Sequence, residues 1–104
     1  MGKINYTVRK TILDIIYELK DDNGHYHSPN NDTPAYWNTT LNERIYYRHG
    51  TIHREGDLPA VEIGTTYKAY YKNGKLHREN GPAIIYTNQP PQYYLNGQRQ
   101  EPPQ

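Results

Sequence analysis

The chain of 104 residues has room for one domain with a thin core, because only 34% of its residues are apolar and tyrosine supplies 12 of them, with no phenylalanine and one tryptophan. Twelve Lys and Arg against eleven Asp and Glu leave a formal net charge of +1, which excludes a global field able to recruit long nucleic acid or an anionic membrane. Without cysteine there is no disulfide and no thiolate zinc site, and no apolar run is long enough for a signal peptide or membrane span, so a soluble, cytoplasmic protein is expected.

Residues 1–22 are read as an N-terminal strand or cap segment. Ile12, Ile15, Ile16 and Leu19 fit helical spacing, while Leu13, Ile15, Tyr17 and Leu19 fit strand alternation. The segment precedes Asn23-Gly24, where later units carry a tyrosine strand, so a strand is expected; a short helix capping an open face is the alternative.

Residues 23–99 are read as tandem hairpins. Ile45-Tyr46-Tyr47-Arg48-His49-Gly50-Thr51-Ile52-His53-Arg54-Glu55 aligns without a gap on Ala69-Tyr70-Tyr71-Lys72-Asn73-Gly74-Lys75-Leu76-His77-Arg78-Glu79, an offset of 24 residues. Pro59-Ala60 answers Pro82-Ala83 with a one-residue slip. A truncated copy begins at Tyr93-Tyr94-Leu95-Asn96-Gly97 and ends at Arg99. A fainter copy, Asn23-Gly24-His25-Tyr26-His27 followed by Pro34-Ala35, keeps the Gly-to-His spacing without the Tyr pair or the Arg. Two full units between two degenerate ones fit a repeat array with capping ends.

Asn-Gly between aromatic and β-branched residues predicts type I′ hairpin turns at 23–24, 73–74 and 96–97, with His49-Gly50 in the same role. Val61–Tyr67 and Ile84–Pro90 read as strands running into turns. The expected fold is all-β, an antiparallel meander of repeated hairpins in a single sheet, with 100–104 a proline-rich tail.

Tyr-Lys-Asn-Gly-Lys-Leu-His at 71–77 resembles the hallmark of MORN repeats, over roughly residues 40–99. The chain departs from that family in having His53-Arg54-Glu55-Gly56 and His77-Arg78-Glu79-Asn80-Gly81 where His-Gly-x-Gly is usual. The variant is similar to the Asn-Gly-x-x-His-Arg-x-x-Gly-Pro-Ala repeats of phage and giant-virus proteins. The resemblance implies scaffolding or ligand attachment rather than catalysis, a viral origin, and a place in host cytoplasm.

Alternation puts Ile52 and Arg54 on one side and His53 and Glu55 on the other, with Leu76, Arg78, His77 and Glu79 repeating the split. Tyr46 and Tyr70 share one side of their strand, Tyr47 and Tyr71 the opposite one. Which Tyr row accompanies the His row stays open. Arg forks match phosphate or carboxylate, and Tyr faces stack on bases, so Tyr46, Tyr47, His53, Arg54, Tyr70, Tyr71, His77 and Arg78 form a candidate site for an anionic, nucleotide-like ligand, as a host defence inhibitor that sequesters nucleotides would need. The structural alternative has the same His and Arg holding each turn in shape, because a shape-making residue recurs in every copy.

A non-catalytic binding module is the expected function, its partner a nucleotide-like molecule or a host protein surface. Two alternatives stand beside it. One is a metal-independent phosphodiesterase using His53 and His77 as acid and base. The other is a pure protein scaffold, for which replacing Arg54 and Arg78 by Ala leaves fold and partner binding largely unchanged. No cofactor is expected, and His25-x-His27 supplies too few ligands for a metal. Open sheet edges and tyrosine-rich faces point to a homo-oligomer.

Overall fold

A computed structural model describes residues 3–103, and every regular element in them is a β-strand. The strands in chain order are β1 (Asn5–Lys10), β2 (Ile15–Lys20), β3 (Tyr36–Asn38), β4 (Glu43–Ile45), β5 (Tyr47–Arg48), β6 (Thr51–Ile52), β7 (Val61–Ile63), β8 (Tyr67–Ala69), β9 (Tyr71–Lys72), β10 (Lys75–Leu76), β11 (Ile84–Tyr86), β12 (Tyr93–Leu95) and β13 (Gln98–Gln100). The all-β antiparallel meander is confirmed. Its main sheet has seven strands in the order β1-β2-β3-β4-β7-β8-β11, and the three hairpins β5-β6, β9-β10 and β12-β13 stand beside it as two-stranded pieces. The expected single sheet is thus interrupted within each unit. The break falls at Tyr46 and Tyr70, whose buried rings turn the chain between a main-sheet strand and a hairpin strand.

The N-terminal segment is a hairpin, so alternation prevails over helical spacing. Ile12, which fed the helical pattern, and Leu13, which fed the alternating one, lie in the connecting turn, where Thr11 Oγ1 accepts from the amides of Leu13 and Asp14. β2 is an interior strand of the main sheet, which continues the repeat array across the boundary drawn at residue 22. Gln100 pairs with Tyr93, so the last hairpin also runs past 99.

Type I′ geometry, positive φ at both central residues, holds at His49-Gly50, Asn73-Gly74 and Asn96-Gly97. It does not hold at Asn23-Gly24, where Gly24 alone has positive φ. There the carboxylate of Asp21 accepts from the amides of Asn23 and His25 and shapes a longer turn. Gly74, at φ 81°, also sits where a Cβ would meet Thr51 Cγ2 at 3.0 Å, whereas Gly56, at φ 74°, has open space. Gly74→Ala is expected to cost roughly 1–2 kcal/mol of backbone strain plus a steric term, and Gly56→Ala the strain alone. Urea unfolding of the pair checks the difference.

The core is built from small residues and rings. Ala35, Ala60, Ala69 and Ala83 are fully buried, joined by Ile16, Ile84, Tyr46 and Tyr70. The alanine of each Pro-Ala pair is a sheet contact: the amides of Tyr46 and Tyr70 donate to the carbonyls of Ala60 and Ala83. Glu18, also buried, accepts from Arg9 at 2.9 Å and from the Tyr26 hydroxyl. The Arg9 hydrogen bond holds its carboxyl below the usual range, and burial pushes the Tyr26 phenol up to about 12.

Candidate functional site

The histidine of each unit forms a clasp onto the next. His27, His53 and His77 each accept at Nδ1, at 2.9 Å, from the amide of the first turn residue of the following unit, His49, Asn73 and Asn96 respectively. The next residue of that turn is held as well. The amides of Gly50, Gly74 and Gly97 donate to the carbonyls of Tyr26, Ile52 and Leu76, just before those histidines. A tight turn leaves these two amides facing outward, and the preceding unit satisfies both. With Nδ1 an acceptor, the ring proton of neutral His53 and His77 sits on Nε2, where Glu55 and Glu79 receive it. His53 holds the Glu55 carboxyl below its ordinary range through that bond.

The arginines close the unit on itself. The Arg54 guanidinium lies 3.8 Å from the Tyr46 ring centre and Arg78 3.9 Å from that of Tyr70, which assigns Tyr46 and Tyr70 to the arginine row. Each also donates to the proline carbonyl of its own Pro-Ala, Pro59 at 3.0 Å and Pro82 at 3.2 Å. The remaining donors reach back one unit: Arg54 Nε to the Asn31 carbonyl, Arg78 in a bidentate fork to Asp57 at 2.7 and 3.1 Å. That fork holds Asp57 below, and Arg78 above, their ordinary values.

Each degenerate end unit lacks the arginine and one of its companions, the tyrosine in the first and the histidine in the last. In the first, Ser28 follows His27 where Arg would stand, and Leu19, whose carbonyl receives the His27 amide as that of Tyr46 receives His53, replaces the tyrosine. In the last, the β12-β13 register carries the equivalence on to Gln100 and Glu101, which stand where His and Arg would be.

Arg54 and Arg78 thus hold contacts within and between units, so their replacement by Ala is expected to weaken the fold, unlike the largely unchanged fold that the pure-scaffold alternative expects. Arg78→Ala removes a cation–π contact of roughly 0.5–2 kcal/mol and leaves the Pro82 carbonyl without this donor. Thermal unfolding is expected to fall by several degrees.

Of the other proposed site residues, Tyr47 and Tyr71 are half-buried, Tyr47 lying 5.0 Å from the Tyr26 ring. Clefts recur at the three unit junctions, each between the loop after one His-Arg position and the Tyr-Tyr segment of the next unit. The middle one brings Arg54, Tyr70, Tyr71, His77 and Arg78 together with Lys72 and Asp57. Tyr46, Tyr47, His53 and Arg54 line the first. The two histidines proposed as acid and base each bond their own Glu and the next turn rather than one another. Among the described residues no group of three or more His, Asp or Glu could hold a metal ion.

Asp21, Asp57 and Asn31 lie outside the repeated Tyr, His and Arg positions, although Asp21-Asp22-Asn23-Gly24 marks a turn. Asp21 accepts from His49 Nδ1 at 2.7 Å, while the His49 ring stacks on His27 with 4.0 Å between centres. This explains histidine at the first position of a type I′ turn. The His49 bond, supported by two backbone amides, lowers Asp21 from 3.8 to about 2. A depressed carboxyl contributes stability fully present above its unfolded value and lost as pH falls through the folded one. Wild-type protein is expected to lose urea resistance between about pH 4 and pH 2, with a shallower loss in Asp21→Asn.

Comparison with models of protein families, with curated proteins and with solved structures finds no match to this chain. Among the described residues no helix is long and apolar enough to cross a membrane.

Proposed function

We propose that the chain is a non-catalytic module that binds a protein surface through the outer face of its seven-stranded sheet. The carrying observation is a continuous row on that face: Tyr17, Trp37, Arg44, Glu62, Lys68 and Ile85 are successive cross-strand neighbours from β2 to β11. Its N-terminal end is aromatic, with Tyr6, Tyr17 and Trp37 rings 6.2 and 5.4 Å apart and the Arg44 guanidinium 5.4 Å from the indole. The middle is charged. An aromatic anchor beside mixed charges is the composition of a protein interface.

Nucleotide capture by the His and Arg rows is less well supported, because an entering phosphate would have to displace Asp57 from Arg78 and the proline carbonyls from both arginines. Acid–base catalysis by His53 and His77 meets the same difficulty, since both nitrogens of each ring are engaged.

The test has two arms. Calorimetric titration with ATP and cyclic AMP is expected to give no binding heat. A protein captured from a lysate of the cells in which the chain occurs, then purified, is expected to bind wild type saturably and to lose at least tenfold in affinity for Trp37→Ser. Micromolar nucleotide binding, or unchanged partner affinity in Trp37→Ser, overturns the proposal.

A further inference from the structure

We infer that β1 pairs with β1 of a second copy of this chain, antiparallel about Thr7, and joins the two main sheets into one. All six β1 residues are exposed, and it is an edge strand of the main sheet. Exposed apolar side chains gather here, with Ile4, Tyr6, Val8, Ile12, Leu13 and Ile15 within residues 4–15. The opposite edge, β11, has three residues, and Ile84 is already bridged to Gln92.

The direction of the backbone groups sets the register. In β2 the Leu19 amide donates to Ala35 and the Ile15 carbonyl accepts from Thr39, so these odd-numbered residues face β3. Hydrogen-bonding direction alternates along a strand, so Ile16, Glu18 and Lys20 face β1, and their partners Arg9, Thr7 and Asn5 face β2. Tyr6, Val8 and Lys10 therefore aim N–H and C=O at the open edge, as does Ile4 if the strand is continued by one residue. Only like-directed residues can pair across the edge. Centring on Thr7 is the register that uses all four, matching Tyr6 with Val8 and Ile4 with Lys10, each pair occurring twice by symmetry.

That register is also chemically self-consistent. It sets aromatic against β-branched and aliphatic against lysine, opposes no like charges, and leaves Arg9 free to keep its bond to Glu18. The paired side chains lie on the face that carries Tyr17 and Trp37, so the two aromatic patches become one across the twofold axis. A second copy supplies this complement by symmetry, whereas an unrelated strand would have to reproduce it. The expectation of self-association is thereby narrowed to one edge and one register. Because the inference concerns the purified chain alone, its failure would leave the protein-binding proposal standing.

Light scattering on the eluting protein tests it. Wild type is expected to run as a dimer at micromolar concentration, and Tyr6→Lys/Val8→Lys, which opposes lysine to lysine, as a monomer with unchanged circular dichroism. A single cysteine at Thr7 faces its own symmetry mate at a non-hydrogen-bonded pair, where Cα atoms lie about 4.5 Å apart, so Thr7→Cys should oxidise readily to a linked dimer and Asn5→Cys should not. A monomeric wild type, a dimer that survives the double lysine variant, or cross-linking through residue 5 in preference to 7 overturns the inference.

Discussion

Tyr46→Ala should unfold or nearly unfold the protein. The ring is 4% exposed, lies at the bend between β4 and β5, and carries the Arg54 guanidinium on its face. Truncating a buried aromatic costs about 3–5 kcal/mol, against a total stability of roughly 5–15 kcal/mol for a domain. The loss here should fall at the upper end, because Arg54 loses its platform at the same time. Tyr46→Phe keeps ring and stack and should retain most of the stability. Urea midpoints of the two variants separate packing from the hydroxyl. Tyr17→Ala, at a half-buried position on the outer face, should cost clearly less.

His53→Ala should destabilise by about 1–3 kcal/mol, the cost of leaving the Asn73 amide without its acceptor in a partly buried setting. His77→Ala removes the same bond from Asn96, but at an exposed site where water can substitute, so its effect should be smaller. Hydrogen exchange gives the sharper reading. In His53→Ala the amides of Asn73 and Gly74 should lose protection before those of Gly50 and Gly97, because the clasp is local to one junction. Uniform loss of protection along the chain would show that the histidine acts through global packing instead.

Much of this architecture could be read from the residues. The 24-residue offset, the Asn-Gly and His-Gly turns and the Pro-Ala pairs are local signals, and turn chemistry depends on φ at two adjacent positions. Alternation also resolved β2 once strand pairing was available to bury Ile16 and Glu18. The bend at Tyr46 was not legible, because Tyr46-Tyr47 reads as uninterrupted strand and the guanidinium that stacks on the Tyr46 ring comes from Arg54, beyond the next turn. The roles of Asp21 and Asp57 were not legible for a related reason: their partners, His49 and Arg78, stand 28 and 21 residues away. The division of labour between His and Arg was only half visible. Alternation separated them, but contact showed that one reaches forward to the next unit while the other turns back on its own tyrosine.

The histidine clasp has a further consequence for how such a chain can change in length. Every bond it makes runs from one unit to its immediate successor, so an internal unit could be duplicated or lost with its two junctions re-formed from the same parts. At Gln100-Glu101 the pattern lapses, because neither side chain offers an imidazole nitrogen to the amide of another turn. Which junctions can form is thus written in single side chains, while the number of like units is left free to vary.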